Sequence, residues 1–278
     1  DTLSLHDALP ICLYVYSSNP AITSPNQNLV RKGLAREDLF LVVHERFMTD
    51  TAKYADIVLP ATTSLEHSDI YSSYGHYSLG IGYKVIDPIG ESKSNWDTIR
   101  LLAKAMGYDD PFFDRTEEDL IDEIVATAPR LTDEERKRLL ATEPVEMELP
   151  EDYKLQYDTP SGKIEMYNPK ESEPLPRYFP PYGDDAELWL INSPDVRILD
   201  SSFNERNFDD DTPKMAAWLN PKEAAAKNLK EGQTIELSNV RGKVRLPLYI
   251  DEGVAPGTVV SYGVWWQKYS SDANVSIN

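Results

Sequence analysis

Short, almost continuously apolar runs recur along the first third of the chain. They cover residues 13–16, 39–43 and 56–59, and amphipathic or polar segments separate them. The separating segments at residues 29–34 and 49–54 show helical spacing or a helix N-cap residue, so each predicts a helix. Continuous apolar runs are typical of strands buried on both faces of a parallel sheet. The pattern therefore predicts a Rossmann-like α/β domain with the order β-α-β-α-β, incomplete because three strands make a small sheet.

Polar residues follow each of the three predicted strands. The segment SSNP comes after the first strand, His44 and Glu45 after the second, and PATT with Glu66 and His67 after the third. In an open α/β sheet, ligands bind outside the carboxyl ends of the parallel strands. The sequence therefore predicts half of a ligand-binding crevice at this edge.

The middle of the chain changes character. Residues 71–88 are rich in aromatic residues and glycine without clear periodicity, which predicts a long loop with a short strand at residues 83–86. Apolar positions at helical spacing then predict a helix over residues 95–106, with Gly107 at its C-terminus.

Two acidic helices are predicted next, capped by Thr116 and Thr132. Their charged side chains are typical of a solvated face rather than a catalytic group. The run LQYDTPSGKIEMYN predicts a hairpin that turns at Ser161 and Gly162. A proline-rich run, residues 174–183, has the composition of a linker to a new domain.

The last third predicts mainly strands. A strand at residues 188–191 and a short helix that begins at Asn220-Pro221 precede two alternating runs, residues 234–237 and 243–250, which form a hairpin. A turn at Pro256-Gly257 leads to one more strand. Short strands at this spacing indicate a small barrel.

Charge and composition exclude several classes of function. The 278 residues suffice for about two domains, and 28 Lys and Arg against 47 Asp and Glu give a formal charge of -19. Nucleic acid and anionic membrane surfaces both require basic faces, so we expect neither as a partner. No apolar run approaches the ~20 residues of a membrane span, so we expect no membrane insertion. A single cysteine, Cys12, cannot build a zinc site or an iron–sulfur cluster.

The usual phosphate-binding glycine motifs are missing. The first predicted strand leads into SSNPA rather than GxGxxG, and no GxxxxGK[ST] occurs. The Asn, Ser, Thr and His residues at the strand ends instead offer neutral hydrogen bonds to a ribose or a purine edge.

Several segments, in a constant order, carry a family resemblance. SSNP, FLVVHERFMTDTAKYADIVLPATTSLE, YGHYSLG and SNWDTIRLLAKAMG resemble the third domain of molybdopterin oxidoreductases of the dimethyl sulfoxide reductase type. TPSGKIE, LNPKEAAAKNLKEGQTIELSNVRGKV, GVAPGTVV, YGVWW and ANVSIN resemble their C-terminal molybdopterin-dinucleotide-binding domain. The resemblance spans about residues 12 to 278.

The resemblance implies a domain organisation. Residues 12–173 would form the α/β domain, residues 174–186 a linker, and residues 187–278 a double-psi β-barrel. We expect residues 1–11, DTLSLHDALPI, to be an adapter-derived stretch, and the chain to be a C-terminal piece of a longer protein.

The resemblance also implies a cofactor and partners. The family holds molybdenum or tungsten through a bis-molybdopterin guanine dinucleotide cofactor, and its 4Fe-4S cluster and metal-ligating side chain lie in upstream regions. The implied function is the cofactor-binding part of an oxidoreductase acting on formate, thiosulfate, polysulfide or an S- or N-oxide. We expect a small-molecule redox substrate, an electron-transfer iron–sulfur subunit as partner, and no redox activity from this chain alone. A cytoplasmic location is preferred over export by the twin-arginine route.

Two other functions stay open at this point. One is a non-catalytic homologue that acts as a structural or assembly subunit of a redox complex. The other is an ordinary nucleotide-dependent α/β enzyme, which the missing glycine-rich loop disfavours.

The resemblance assigns cofactor contacts but no catalytic residue and no metal ligand. Some assignments have structural alternatives: Asn19 can shape its turn, His44 can be a satisfied buried histidine, Asn95 can cap a helix, and the two tryptophans can be core residues. The cofactor-binding candidates are Asn19, His44, Glu45, His67, Asn95, Ser193, Val196, Leu199, Asp200, Ser201, Ser202, Asn204, Trp265, Trp266, and Asn274 or Asn278.

Overall fold

The computed structural model describes residues 11–179, 186–208 and 213–270. The chain divides into two compact units. The first, here the sheet unit, contains Asp1–Ala61 and Ala186–Asn278, and the second, here the helical unit, contains Thr62–Asp185. The predicted domain limits at residues 173 and 187 stay a prediction.

In chain order, the elements are β1 (Cys12–Tyr16), α1 (Pro20–Thr23), α2 (Gln27–Leu34), β2 (Phe40–Glu45), β3 (Ile57–Pro60), β4 (Asp69–Ser72), β5 (Ser78–Gly82), α3 (Asn95–Ala105), α4 (Glu117–Thr127), α5 (Asp133–Leu140), β6 (Val145–Glu146), β7 (Trp189–Ser193), β8 (Ala217–Leu219), α6 (Pro221–Ala226), β9 (Thr234–Asn239), β10 (Gly242–Ile250) and β11 (Thr258–Tyr262).

The first sheet of the sheet unit is parallel, as the apolar runs predict. Its order is β1-β2-β3, and β2 pairs in parallel with both neighbours. Val15, Leu41 and Val43 are buried in its core together with Leu34 of α2. The predicted helix over residues 49–54 is wrong in type, because only a single 3-10 turn forms, Ala52–Tyr54. The short helix α1 was not predicted.

The second sheet of the sheet unit has five strands in the order β7-β11-β8-β10-β9. The hairpin β9-β10 is antiparallel, as predicted, whereas β10 pairs with β8 and β11 pairs with β7 in parallel. Leu219, Leu246 and Leu248 form its core with Trp265. Asn220 caps α6 as predicted, since its side chain accepts a hydrogen bond from the Lys222 N–H. The finer assignment, a double-psi barrel, remains a prediction.

The helical unit has an antiparallel sheet, β4-β5-β6, with α4 and α5 packed on it. Ile81, Ile121, Val125 and Leu139 meet in its core. The predicted long loop at residues 71–88 is therefore wrong, because β4 and β5 pair as a hairpin there and residues 83–86 form no strand.

Two further predictions for the helical unit have different outcomes. Thr116 and Thr132 both form complete capping boxes, with Asp119 and Glu135 as the reciprocal partners. The predicted hairpin over residues 155–168 is wrong: a turn forms at Gly162, with a φ of 65°, but no strands pair around it.

No helix among the residues that the structure describes is long and apolar enough to cross a membrane.

Candidate functional site

Asn19 lies just beyond the carboxyl end of β1 and is only 4% exposed. Its side chain makes no capping hydrogen bond to α1, so it does not shape its own turn through an Asx contact. Instead, Asn19 Oδ1 accepts hydrogen bonds from the Thr51 Oγ1 hydroxyl at 2.7 Å and the Thr51 N–H at 3.2 Å. Asn19 Nδ2 is buried and has no hydrogen-bond partner among the described residues.

A buried amide donor without a partner costs free energy comparable to a lost hydrogen bond. Such groups are rare in folded proteins and need an explanation. A bound acceptor at the carboxyl edge of the parallel sheet would satisfy this one.

His44 and Glu45 lie at the same edge, at the end of the central strand β2. The register pairs His44 with Tyr16 on β1 and with Leu59 on β3. His44 is 1% exposed, which agrees with its reading as a buried histidine. Glu45 remains partly accessible, and its Oε1 accepts a hydrogen bond from the Arg46 N–H at 2.7 Å. The topology therefore brings Asn19, His44 and Glu45 to one sheet edge.

Two residues of this edge, Asp50 and Thr51, were not predicted as site residues. Asp50 is 2% exposed; one carboxylate oxygen accepts from Lys53 Nζ at 2.8 Å and the other from the Gln267 N–H at 3.1 Å. Asp50 thus ties the segment after β11 to the parallel sheet. The sequence signal for these residues was a run of polar residues, TDT, inside the segment FLVVHERFMTDTAKYADIVLPATTSLE that carries the family resemblance.

The loop after β7 contains six of the predicted contacts and is held by one ion pair. The Arg197 guanidinium donates to the Asp195 carboxylate at 2.7 and 2.9 Å and lies over the Trp265 ring at 4.9 Å. The hydrogen bonds from Arg197 lower the pKa of Asp195. Contacts within the chain therefore hold this loop.

The predicted contacts of this loop differ in accessibility. Leu199 and Ser202 exchange backbone hydrogen bonds across a tight turn in which Asp200 has a φ of 50°. The side chains of Val196 and Leu199 point into solvent. Ser193 ends β7, and its carbonyl accepts from the Gly263 N–H at 2.7 Å.

Asn204 joins the loop after β7 to the segment after β11 within the sheet unit. It is fully buried; its Nδ2 donates to the Ser201 and Val264 carbonyls, and its Oδ1 accepts from the Trp266 N–H at 2.9 Å. The Trp266 ring N–H donates to the Ser201 carbonyl as well. These contacts explain the burial of Asn204 without a ligand.

Trp265 and Trp266 are buried side chains of this unit. The Trp265 ring packs edge-on against Phe208 and Tyr269, and its ring N–H donates to the Tyr262 carbonyl. Both tryptophans have the core role that was the alternative to cofactor contact. Asn274 and Asn278 lie outside the described residues.

Gly263, which directly precedes this segment, requires glycine for two reasons. Its φ is 79°, and a Cβ there would lie 2.7 Å from Trp265 Nε1 and 2.9 Å from Ile198 Cδ1. The turn that positions both tryptophans therefore depends on this residue.

His67 and Asn95 lie in the helical unit. His67 lines a cavity of about 230 Å³, to which Lys84, Arg100 and Glu118 also contribute. The His67 Nδ1 forms a hydrogen bond with the Thr62 hydroxyl at 2.9 Å. The cavity carries charges of both signs, so it is not simply an anion site.

Asn95 does not cap α3, so the prediction that it could be the N-cap of this helix is wrong. Ser94 is the N-cap, since its hydroxyl accepts from the Asp97 N–H at 3.1 Å, and Asn95 is exposed in the first turn.

Two family models match the chain. The model described as molybdopterin oxidoreductase matches residues 4–105, and the model described as molydopterin dinucleotide binding domain matches residues 188–278. Together they cover most of the chain and contain every predicted contact residue. The chain belongs to the molybdopterin oxidoreductases of the dimethyl sulfoxide reductase type.

Curated members of this family are similar over nearly the whole chain. "Probable oxidoreductase YoaE" of Bacillus subtilis is 39% identical over 91% of this chain, which spans 38% of that protein. "Putative formate dehydrogenase" of Staphylococcus aureus is 26% identical over 90% of this chain, which spans 26% of that protein. The chain thus spans between a quarter and two fifths of the length of these relatives.

A solved structure of similar fold supports the same assignment. Acetylene hydratase from Pelobacter acetylenicus superimposes with a TM-score of 0.74 at 26% identity, covering 90% of this chain and 36% of that chain.

The residues at the sheet edge of this chain fit the nucleotide end of a molybdopterin dinucleotide. Such a group carries carbonyl, phosphate and hydroxyl oxygens as acceptors, and Asn19 Nδ2 is a buried donor without a protein partner among the described residues. The partly accessible Glu45 offers acceptors to hydroxyl or amine donors. Donors and acceptors therefore lie at one edge, as a nucleoside requires.

Proposed function

We propose that this chain supplies the guanine-dinucleotide-binding part of a molybdenum or tungsten oxidoreductase. The single observation that carries the proposal is the buried amide donor of Asn19, which lies beyond the carboxyl end of a parallel strand and has no partner in the described part of the chain. The family membership supports the identity of the acceptor as a molybdopterin dinucleotide.

Within the sheet unit, each group has a separate role. Asn19 Nδ2 donates to an oxygen acceptor of the dinucleotide, and Glu45 accepts from ribose hydroxyls or the guanine amine. His44 is buried at the end of β2, next to Glu45 in the chain. The exposed turn from Leu199 to Ser202 offers backbone and hydroxyl groups to a second dinucleotide. When bound, the metal–pterin group supplies oxygen-atom or hydride-level redox chemistry, which the protein positions and tunes.

The remaining assignments belong to the protein that carries this chain. We infer a small redox substrate of the formate, thiosulfate, polysulfide or S-/N-oxide class, an iron–sulfur subunit as electron partner, and a 4Fe-4S cluster outside this chain. No group of three or more His, Cys, Asp or Glu side chains in the described ranges could hold a metal ion. The family resemblance implies that the side-chain ligand to the metal lies outside this chain, and we infer that the chain has no redox activity by itself.

An Asn19→Ala variant of the full-length protein tests the proposal. Loss of a hydrogen bond that satisfies a buried donor should lower dinucleotide content roughly tenfold when the cofactor is limiting. The readouts are GMP released by acid hydrolysis and metal bound per polypeptide, so they do not depend on turnover.

Asn28→Ala is the matched control. Asn28 is an exposed asparagine of α2 whose Nδ2 donates to the Arg241 carbonyl. This variant should keep its cofactor. An Asn19→Ala protein that is purified with the wild-type content of GMP and metal would show that the dinucleotide is held elsewhere.

A further inference from the structure

The orientation of the Asn19 amide is decided by Thr51. The Thr51 backbone N–H can only donate a hydrogen bond, and it points at Asn19 at 3.2 Å. The Thr51 hydroxyl already accepts from the Ala21 N–H at 3.0 Å, so its own hydrogen is directed to Asn19, 2.7 Å away. Because the backbone N–H can only donate, and the hydroxyl donates to the same atom, the carbonyl oxygen of the amide faces Thr51.

This arrangement has a consequence for the other end of the amide. With Oδ1 held by two donors, Nδ2 can only face away from Thr51, where it has no partner among the described residues. Rotation of the amide by 180° would place the Nδ2 amino group against the Thr51 backbone N–H, a donor against a donor, which is unfavourable in a buried site. The position therefore offers a donor and disfavours any ligand that also offers a donor at this point.

Thr51 is itself held rigidly. It is fully buried, and its hydroxyl lies between Asn19 and the first turn of α1, which it joins through Ala21. The orientation of the Asn19 amide thus depends on a residue 32 positions away in the chain.

We propose that Thr51 is a positioning residue that fixes the hydrogen-bonding polarity of the Asn19 amide, so that the site accepts only an oxygen or nitrogen acceptor of the dinucleotide. This inference rests on the proposed function. Thr51 touches no ligand in it and acts only through Asn19.

Substitutions at Thr51 separate polarity from packing. Thr51→Val keeps the shape of the side chain but removes its hydroxyl. The Asn19 amide then loses the shorter of its two hydrogen bonds to Thr51, and the Ala21 N–H loses its acceptor. We expect about tenfold lower dinucleotide content at limiting cofactor, measured as acid-released GMP per polypeptide. Thr51→Ser keeps the hydroxyl and should have the wild-type dinucleotide content. If only the methyl group of Thr51 mattered, this variant would lose dinucleotide as well.

Thr49→Val is the matched control. Thr49 is equally buried and lies two residues away, but its hydroxyl accepts only from the Ala52 N–H of its own turn among the described contacts. This variant should lose some thermal stability and keep its dinucleotide. Equal losses of dinucleotide in Thr49→Val and Thr51→Val would overturn the proposal in favour of a general weakening of the turn.

A double-mutant cycle with Asn19→Ala tests whether Thr51 acts through Asn19. The effect of Thr51→Val on dinucleotide content should disappear in the Asn19→Ala background, since the residue that it orients is gone. Additive losses would overturn the proposal.

Asn19→Asp covers the case in which Thr51→Val fails to fold. The carboxylate still accepts from both Thr51 donors but offers no Nδ2 donor, so the fold should persist while dinucleotide content falls as in Asn19→Ala. Wild-type content in Asn19→Asp would refute the assigned polarity. If the Asn19→Ala variant keeps its dinucleotide, the proposed function fails. If Asn19→Ala loses its dinucleotide but Thr51→Val keeps it, only the role proposed for Thr51 fails.

Discussion

At the scale of single residues, buried polar side chains of this molecule have two kinds of role. Asn204 has partners for both ends of its amide, and it stabilises a loop. Among the described residues, Asn19 has partners for only one end of its amide, and the other end is the strongest indication of a ligand. Residue type and burial are the same in both cases. Only the inventory of donors and acceptors distinguishes them.

Glu66 is a buried carboxylate of the first kind. Its Oε2 accepts from the Thr63 N–H at 2.6 Å and the Thr63 hydroxyl at 2.7 Å, and its Oε1 accepts from the Ile89 N–H at 2.7 Å. These hydrogen bonds, those from Thr63 above all, lower its pKa below the ordinary 4.5. Glu66 therefore links the segment at Thr63 to the segment at Ile89.

Glu66→Gln should change the acid sensitivity of the helical unit. Because the folded pKa is lowered, the ionised carboxylate contributes stability above about pH 4.5, and this contribution is lost as the pH falls through the lower folded value. The variant should therefore be less stable than wild type near neutral pH, and the difference should shrink in acid. Denaturant midpoints followed from about pH 7 to about pH 3 measure this change.

Glu91→Gln serves as the comparison for Glu66→Gln, since Glu91 is an exposed carboxylate close to the same turn. Its stability should follow that of the wild type over the whole pH range. A gap between Glu66→Gln and wild type that stays constant down to about pH 3 would contradict the assigned role of ionisation.

At the scale of elements, local signals in the sequence predicted helix starts well. The capping boxes of α4 and α5 and the Asn220 cap of α6 form as expected, because each needs only residues within one turn. The hairpin β4-β5 was missed, because its glycine-rich second strand, SLGIG, has weak strand propensity and gains its stability from packing on α4 and α5.

Ser94→Ala should weaken the start of α3. Ser94 is buried, and its hydroxyl is the N-cap acceptor for the Asp97 N–H. Loss of such a cap costs about 1 kcal/mol, and the free energy of unfolding from denaturant titration measures it. Hydrogen exchange of the Asp97 amide should speed up in parallel.

Asn95→Ala is the control for this cap. Asn95 was the sequence-based candidate, but it is exposed in the first turn of α3. Its replacement should change the free energy of unfolding by less than about 0.5 kcal/mol. If the two variants were equally destabilised, Ser94 would not be the residue that caps the helix.

At the scale of the whole molecule, the sheet unit joins segments from opposite ends of the chain. The Asp50 carboxylate and the Gln267 N–H are 217 positions apart, and Asn28 reaches the Arg241 carbonyl over 213 positions. The parallel sheet and the five-stranded sheet therefore share one compact unit. Polar contacts that depend on such distant segments cannot be inferred from local pattern.

Asp50→Ala should destabilise the sheet unit. It removes the acceptor for the Gln267 N–H and leaves that donor unsatisfied, which costs about 1–3 kcal/mol. Urea unfolding measures the loss, and exchange of the Gln267 amide should accelerate more than that of amides in β9.

Asn28→Ala removes the other long-range link and is the reference for Asp50→Ala. Its hydrogen bond to Arg241 is exposed to solvent. Water can replace that hydrogen bond, so the expected loss is below about 0.5 kcal/mol. A larger loss in Asn28→Ala than in Asp50→Ala would show that the buried carboxylate is not the main link.

The amino-acid sequence alone determined the parallel strands, the caps of three helices, the β9-β10 hairpin and the family, because each depends on neighbours in the chain or on motifs in a constant order. It also predicted Asn19, since that residue belongs to such a motif. The tertiary structure decided which of the predicted contact residues are satisfied by hydrogen bonds or packing within the described part of the chain. It buried Trp265 and Trp266 in the sheet unit, gave both ends of the Asn204 amide a partner, and left the Asn19 Nδ2 without one among the described residues. The physical reason is that hydrogen-bond satisfaction is a property of groups that meet in space. Thr51 meets Asn19 only after 32 residues of chain have folded back along the sheet.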